Sequence, residues 1–299
     1  MGKTIVVTGC SSGFGRLVST QLARRGDRVY ASMRDPIGRN AGVAGELRGL
    51  AESAALDLRV LDLDVGSTDS VDRAATTVLA ESGAPDVLIN NAGQMFVGLT
   101  EAFTADELSS QLDVNLVGVH RMHRAFLPAM RQRGHGLIIN LSSTAGRCAV
   151  PFNAIYHASK WALEGYSMAL RGELASSGVD LVVVEPGPFA TSLFPSMRQP
   201  ADTEDRAASY PDIVRQTFAG IGAMFEGLFN NPDTPTDPQL VVDRLIELVA
   251  MRAGTRPFRS VVGVDFGVAA RNSAVEPFDT GLLQATGLAE FTTLRADPA

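Results

Sequence analysis

Tyr156 and Lys160 lie four residues apart in the run Tyr156-His157-Ala158-Ser159-Lys160. On a helix that spacing puts both side chains on one face. A free phenol titrates near pH ~10, too high for easy proton exchange at neutral pH. A nearby ammonium favours the phenolate. Lowering such a pKa by roughly two units takes roughly 3 kcal/mol of differential stabilisation. The pair is therefore suited to giving or taking a proton at a substrate oxygen. Ser142-Ser143 follow the apolar run Leu137-Ile138-Ile139 and offer a hydroxyl to the same oxygen. A Tyr-x-x-x-Lys pair alone is common on exposed helices, so its meaning depends on its company.

The second constellation is Thr8-Gly9-Cys10-Ser11-Ser12-Gly13-Phe14-Gly15. Glycines allow close approach of the backbone to a pyrophosphate. The helix beginning there supplies unpaired N–H groups and partial positive charge. The spacing is Gly-x-x-x-Gly-x-Gly rather than Gly-x-Gly-x-x-Gly. On its own it also fits an ordinary turn before a helix. Its place after a first strand favours dinucleotide docking. Gly2-Lys3-Thr4 superficially matches the end of a triphosphate loop, but it precedes the strand and has no glycine loop before it.

The elements that must carry these groups alternate. Strand candidates are Ile5–Val7, Val29–Ala31, Leu58–Leu61, Val87–Ile89, Leu137–Ile139, Leu181–Val184 and Val261–Val264. Helical periodicity covers Gly13 to about Arg25, about Thr68 to Ala80, about Ala105 to Arg131 and Ala154 to Ser176. Alternation of this kind predicts a doubly wound parallel α/β sheet, a Rossmann fold. Near-continuous apolar strands fit a sheet covered on both faces. Prolines crowd the stretch after the sixth strand, at Pro195, Pro200, Pro211, Pro232, Pro235 and Pro238. We expect one domain over 1–299, with a substrate lid at about 190–236 and a C-terminal extension at about 265–299.

Composition narrows the class. Net charge is −7, and the scattered arginines form no nucleic-acid patch. Two isolated cysteines, Cys10 and Cys148, frame neither a disulfide network nor a metal site. His120 and His123 lie three apart without an evident third ligand, so no metal is assigned. No apolar run approaches a membrane span, and no charged-then-apolar leader precedes the first strand. The expectation is a cytoplasmic protein with a small-molecule substrate, no membrane and no nucleic acid.

Taken together, these residues resemble the short-chain dehydrogenase/reductase family, nearest in motif to its 17β-hydroxysteroid and retinol dehydrogenase-like members. The matches run in order: the glycine loop, Asp64-Val65, Asn90-Asn91-Ala92-Gly93, Asn115, Ser143, Tyr156, Lys160, and Pro186-Gly187 with Thr191. The resemblance implies that Tyr156 is the general acid in ketone reduction and the base in alcohol oxidation. Ser143 would orient the substrate oxygen. Lys160 would hold the nicotinamide ribose and lower the Tyr156 pKa, and Asn115 would support a proton relay through Lys160. Gly9, Ser11, Ser12, Gly13, Phe14 and Gly15 would cradle the pyrophosphate. Asp64 and Val65 would meet the adenine, and Asn91, Ala92 and Gly93 the adenosine ribose. Pro186, Gly187 and Thr191 would border the nicotinamide.

The implied cofactor is NADP(H), with NAD(H) as the alternative. An acid ending the second strand would prefer a free ribose 2′-hydroxyl, but here the strand ends Ser32-Met33-Arg34-Asp35. Arg34 can pair with a 2′-phosphate and Ser32 can add a hydrogen bond. Asp35 argues the other way if it reaches the ribose. The lid holds Leu193, Phe194, Met197, Phe218, Met224, Phe225 and Phe229, which favour a bulky apolar substrate, with Val150, Phe152 and Gln94 as further pocket candidates. The reading is a carbonyl reductase or hydroxysteroid/retinol dehydrogenase-like enzyme. The alternatives are a catalytically silent NADP(H)-binding redox sensor and a 3-oxoacyl reductase. The long helices near 105–131 and 154–176 imply a homodimer or homotetramer by analogy.

Overall fold

The computed structural model describes residues 2–202, 206 and 208–294. Parts of the expected lid (203–205 and 207) and of the C-terminal extension (295–299) lie outside the described residues. A seven-stranded sheet has the order β3-β2-β1-β4-β5-β6-β7. Its strands are β1 (Thr4–Val7), β2 (Arg28–Met33), β3 (Leu58–Asp62), β4 (Val87–Asn90), β5 (Gly136–Leu141), β6 (Val179–Pro186) and β7 (Arg259–Val262). Every neighbouring pair is parallel. The chain reverses its direction of winding between β1 and β4, which opens a crevice at their carboxyl ends.

Helices cover both faces. They are α1 (Gly13–Arg24), α2 (Ala41–Ser53), α3 (Thr68–Ser82), α4 (Ala105–Leu112), α5 (Gly118–Arg133), α6 (Ala154–Leu174), α7 (Asp212–Asn230), α8 (Gln239–Ala250) and α9 (Val268–Ala285). Successive strand residues point to opposite faces. Thus Ile5 and Val7 join Val18, Leu22 and Leu245 in one core layer. Val6 joins Val71, Met122 and Phe126 in the other. All eight residues of β6 are buried, because helices close it from both sides.

Two expectations need revision. The helix expected over 105–131 is interrupted by a π-helical turn at Asp113–Val117. A π-turn inserts an extra residue into the helical register, and it lies where Asn115 turns inward, 1% exposed. Helix α2 was not anticipated. Its apolar stripe is thin, with only Ala44 and Leu47 buried.

The proline-rich stretch after β6 does fold as loop and helix. Its loop pairs with the segment after β4, where Val97 donates to Arg198 O at 3.0 Å and Arg198 to Met95 O at 3.0 Å. None of α7's residues is buried. Among the described residues, no helix is long and apolar enough to cross a membrane.

Candidate active site

The cleft begins at the carboxyl end of β1. Gly9 has φ +74°, a left-handed conformation that a side chain would oppose. A methyl on Gly15 would lie 2.4 Å from Gly9 O and 2.5 Å from Asn91 Nδ2. Gly15 therefore packs α1 against the loop and does not itself line the cleft. Ser11, Ser12, Gly13 and Phe14 do line it. Ser12 caps α1 in extended conformation without a side-chain capping bond, so the first-turn N–H groups stay available to an anion. The loop is braced from β4: Asn91 Nδ2 donates to Thr8 O at 2.8 Å and to Gly9 O at 3.1 Å. Thr8 Oγ1 accepts from the backbone N–H groups of Asn91 and Ala92. This cradle fits a dinucleotide pyrophosphate, since Gly9, Ser11, Ser12 and Gly13 leave the backbone open to it.

Farther along the β2 side, the cleft is lined by Met33, Arg34, Arg39, Asn40, Asp64 and Val65. Ser32 is a correction. It sits on the opposite face of β2 from Met33, fully buried, with a hydroxyl that has no partner and does not reach the cleft. The strand's two-residue alternation decides this. Asp35 also turns away: at φ +47° its carboxylate accepts from the Gly38 N–H at 3.0 Å and the Arg39 N–H at 2.7 Å. Arg39, which spacing did not single out, is thereby carried to the cleft by the turn that Asp35 closes.

At the other end stand three polar side chains. Ser143 and Tyr156 line the cleft together with Lys160. Ser143 Oγ donates to Pro186 O at 3.3 Å and accepts from the Ala145 N–H at 3.1 Å. The Ser143 hydroxyl lies near enough to the Tyr156 phenol to oppose the effect of its burial. Lys160 Nζ donates to Leu141 O at 2.9 Å and lies 5.9 Å from the Tyr156 ring centre. Asn115 does not line the cleft. Its amide donates to Gln94 O at 3.0 Å and Ser159 Oγ at 3.0 Å, and its carbonyl accepts from the Gln94 N–H at 2.9 Å. It and Lys160 both flank Gly93, where a methyl would lie 3.4 Å from Asn115 Oδ1 and 3.9 Å from Lys160 Nζ.

The electrostatics differ from the simple expectation that Lys160 pulls the phenol down. Burial dominates and pushes Tyr156 up to about 12, opposed by the Ser143 hydrogen bond. Burial likewise pushes Lys160 down to about 8, opposed by the charge of Glu164. Burial thus favours the protonated phenol at neutral pH.

His157, adjacent to Tyr156, points elsewhere. Its Nε2 accepts from the Val150 N–H at 3.1 Å, which leaves Nδ1 to donate to Ala145 O at 2.8 Å. It fastens the Ser143 turn to α6. His120 and His123 both meet Tyr166 OH at 3.0 Å. Among the described residues, no group of three or more His, Cys, Asp or Glu is placed to hold a metal.

A profile described as short chain dehydrogenase matches residues 3–202. The chain belongs to the short-chain dehydrogenase family. It is 37% identical over 210 residues to a 3-ketodihydrosphingosine reductase of Bacteroides thetaiotaomicron, covering 70% of this chain and 72% of that one. It is 35% identical over 251 residues to retinol dehydrogenase 8 of Bos taurus, covering 82% and 78%. A short-chain dehydrogenase structure from Streptomyces avermitilis superposes with TM-score 0.74 and 28% identity, covering 96% of this chain and 98% of that one. The protein is an oxidoreductase acting on CH–OH and C=O groups with a nicotinamide dinucleotide.

The apolar end of this short-chain dehydrogenase's cleft surrounds Tyr156. Met95 and Val97 are buried with it, and Leu193, Phe194, Met197 and Phe218 pack against the group. Phe194 in turn meets Phe225 at 4.8 Å and Phe229 at 5.0 Å between ring centres. The segment after β6 touches the glycine loop through Ser192 Oγ and Ser12 Oγ at 2.6 Å.

Proposed function

We propose that the protein reduces a bulky, apolar ketone or aldehyde using NADPH, with Tyr156 as the proton donor. The observation that carries this reading is the position of the Tyr156 hydroxyl. It shares the cleft with Ser143 and is walled by Met95, Val97, Phe194 and Phe218. The dinucleotide supplies the hydride when bound. Ser143 and Tyr156 both bond the carbonyl oxygen, and Tyr156 gives it a proton as negative charge develops there. Lys160, held through Leu141 O, keeps a positive charge behind the phenol and leaves its other N–H groups for the cofactor ribose.

The preference for the phosphorylated cofactor is supported by Arg34 and Arg39. Both guanidiniums line the cleft, and neither has a side-chain partner among the described residues. A 2′-phosphate would satisfy them through charge-assisted bonds. Asp35, which would repel it, is occupied with its own turn. Apolar walls favour a substrate whose carbonyl sits on a large hydrocarbon body, since burying such surface yields roughly 25 cal/mol per Å².

The test is NADPH oxidation, followed by absorbance, against a series of ketones and aldehydes of increasing apolar size, with 3-oxoacyl thioesters alongside. Turnover should rise with apolar bulk. Preference for the thioesters, or for small polar ketones, would overturn the substrate assignment.

A further inference from the structure

Two glutamates are sealed directly beneath the catalytic groups. Glu164 follows Lys160 by one turn of α6 and is 2% exposed, and Glu185 precedes Pro186 on β6 and is 0% exposed. Two ionised carboxylates in such a place would repel strongly, because little water screens them. Few charged or polar groups face them. From β7, Arg259 Nε donates to Glu164 Oε2 at 2.9 Å and lies 3.7 Å from Glu185 Oε1. From α9, the Asn272 amide donates to Glu185 Oε2 at 2.6 Å, while its carbonyl accepts from Arg147 Nε at 2.7 Å. Arg271 stands farther out, beside Arg147, and Lys160 lies above on α6.

These contacts satisfy one oxygen of each glutamate. The other two, Glu164 Oε1 and Glu185 Oε1, are buried and receive no donor from any other residue. Both side chains converge on one guanidinium, with Glu164 Oε2 at 2.9 Å and Glu185 Oε1 at 3.7 Å from Arg259 Nε, which brings the two carboxylates together. Two acceptors without a donor are a costly arrangement. A single proton between them resolves both at once, since a protonated carboxyl is a donor and its ionised partner an acceptor.

We propose that Glu164 and Glu185 share one proton between their Oε1 atoms, and that this acid–carboxylate pair is a positioning device joining α6 below Lys160 to the end of β6 below Pro186. The elements it joins are those that aim the catalytic hydroxyls. Pro186 O accepts the Ser143 Oγ hydrogen bond. The turn after Ser143 rests on Glu164 itself: a methyl on Gly146 would lie 3.0 Å from Glu164 Cγ and 2.8 Å from Ser142 Oγ. Asn272 extends the device outward, so the C-terminal helix α9 clamps the pair from the side away from the cleft.

The electrostatics agree. Burial, and secondly the charge of Glu164, push Glu185 up to about 8 against the pull of Asn272 and Arg259. The folded protein therefore keeps a proton that the unfolded chain has released by neutral pH. This group's stabilisation is full below the ordinary carboxylate range and is lost as pH rises through about 8. Above that pH both carboxylates are charged and push the strut apart.

The decisive experiment compares wild type with Glu185→Gln and Glu185→Val. In the infrared, wild type at neutral pH should show the C=O stretch of a buried carboxylic acid that Glu185→Gln lacks. The wild-type Tm should fall between about pH 5 and about pH 9, and Glu185→Gln, which keeps a donor facing Glu164 but cannot ionise, should flatten that fall. The kinetic arm alone rests on the carbonyl-reductase reading. There Glu185→Val should lose roughly tenfold in kcat with KM little changed, and Glu185→Gln should recover most of that loss. Absence of the carboxylic-acid band in wild type, or a Tm profile unchanged by Glu185→Gln, would overturn the shared proton whether or not the enzyme reduces any ketone tried. Equal kcat for the Val and Gln variants would overturn the positioning role.

Discussion

The cleft has a floor and a roof, and they are held by different forces. The floor is made of strand ends and the phosphate loop, locked by a dense set of buried hydrogen bonds. Asn91 alone ties the loop at Thr8 and Gly9, and the strands beneath are apolar and closed on both faces. The roof is α7 and its flanking loop. Helix α7 buries none of its residues, and the roof leans on ring contacts such as Phe225 to Phe194. A segment with few buried contacts opens at low free-energy cost. On the proposed reading, the floor holds the dinucleotide and the lightly held roof faces the substrate.

Three experiments would break or sharpen that contrast. The largest effect belongs to the floor. Tyr156→Phe removes the proton donor and should lower kcat by roughly 10³-fold, with cofactor affinity, read by fluorescence titration, changed little. A near-normal kcat would overturn the role of the hydroxyl. Next comes the rim of the floor. Arg34→Ala with Arg39→Ala should weaken NADPH binding by roughly 10- to 100-fold and leave NADH binding nearly unaltered, as expected for two charge-assisted bonds. Equal losses for both cofactors would refute the 2′-phosphate contact. The smallest effect belongs to the roof. Phe225→Ala should raise KM for a bulky ketone by about threefold and cost under about 1 kcal/mol, whereas Phe126→Ala in the core should cost about 3–5 kcal/mol. Thermal unfolding of the two variants checks the difference. Comparable losses would mean that roof and core are equally integral.

Much of this architecture is readable along the chain. Apolar runs such as Val87–Ile89 and Leu137–Ile139 are strands because their composition suits a sheet closed on both sides, and they occur where expected. Tyr156 and Lys160 share a helix face because helical geometry requires it. What was missed was short or weakly patterned. Helix α2 buries little, and the π-turn at Asn115 arises from how α4 and α5 dock, which the even apolar spacing of 105–131 conceals. Ser32 was misread by one strand position, enough to move its hydroxyl to the wrong face of β2.

The sequence by itself determined the alternating architecture, the glycine loop after β1 and the shared helix face of Tyr156 and Lys160. These depend on periodicity and on groups a few residues apart, and local geometry carries such information. Tertiary structure alone decided the rest. It brought Arg39 to the cleft, occupied Asp35 with its own turn, set Glu164 against Glu185, and raised rather than lowered the Tyr156 pKa. Each of these turns on burial or on the loop and strand geometry around the site, and Coulomb and desolvation energies depend on that geometry rather than on order along the chain.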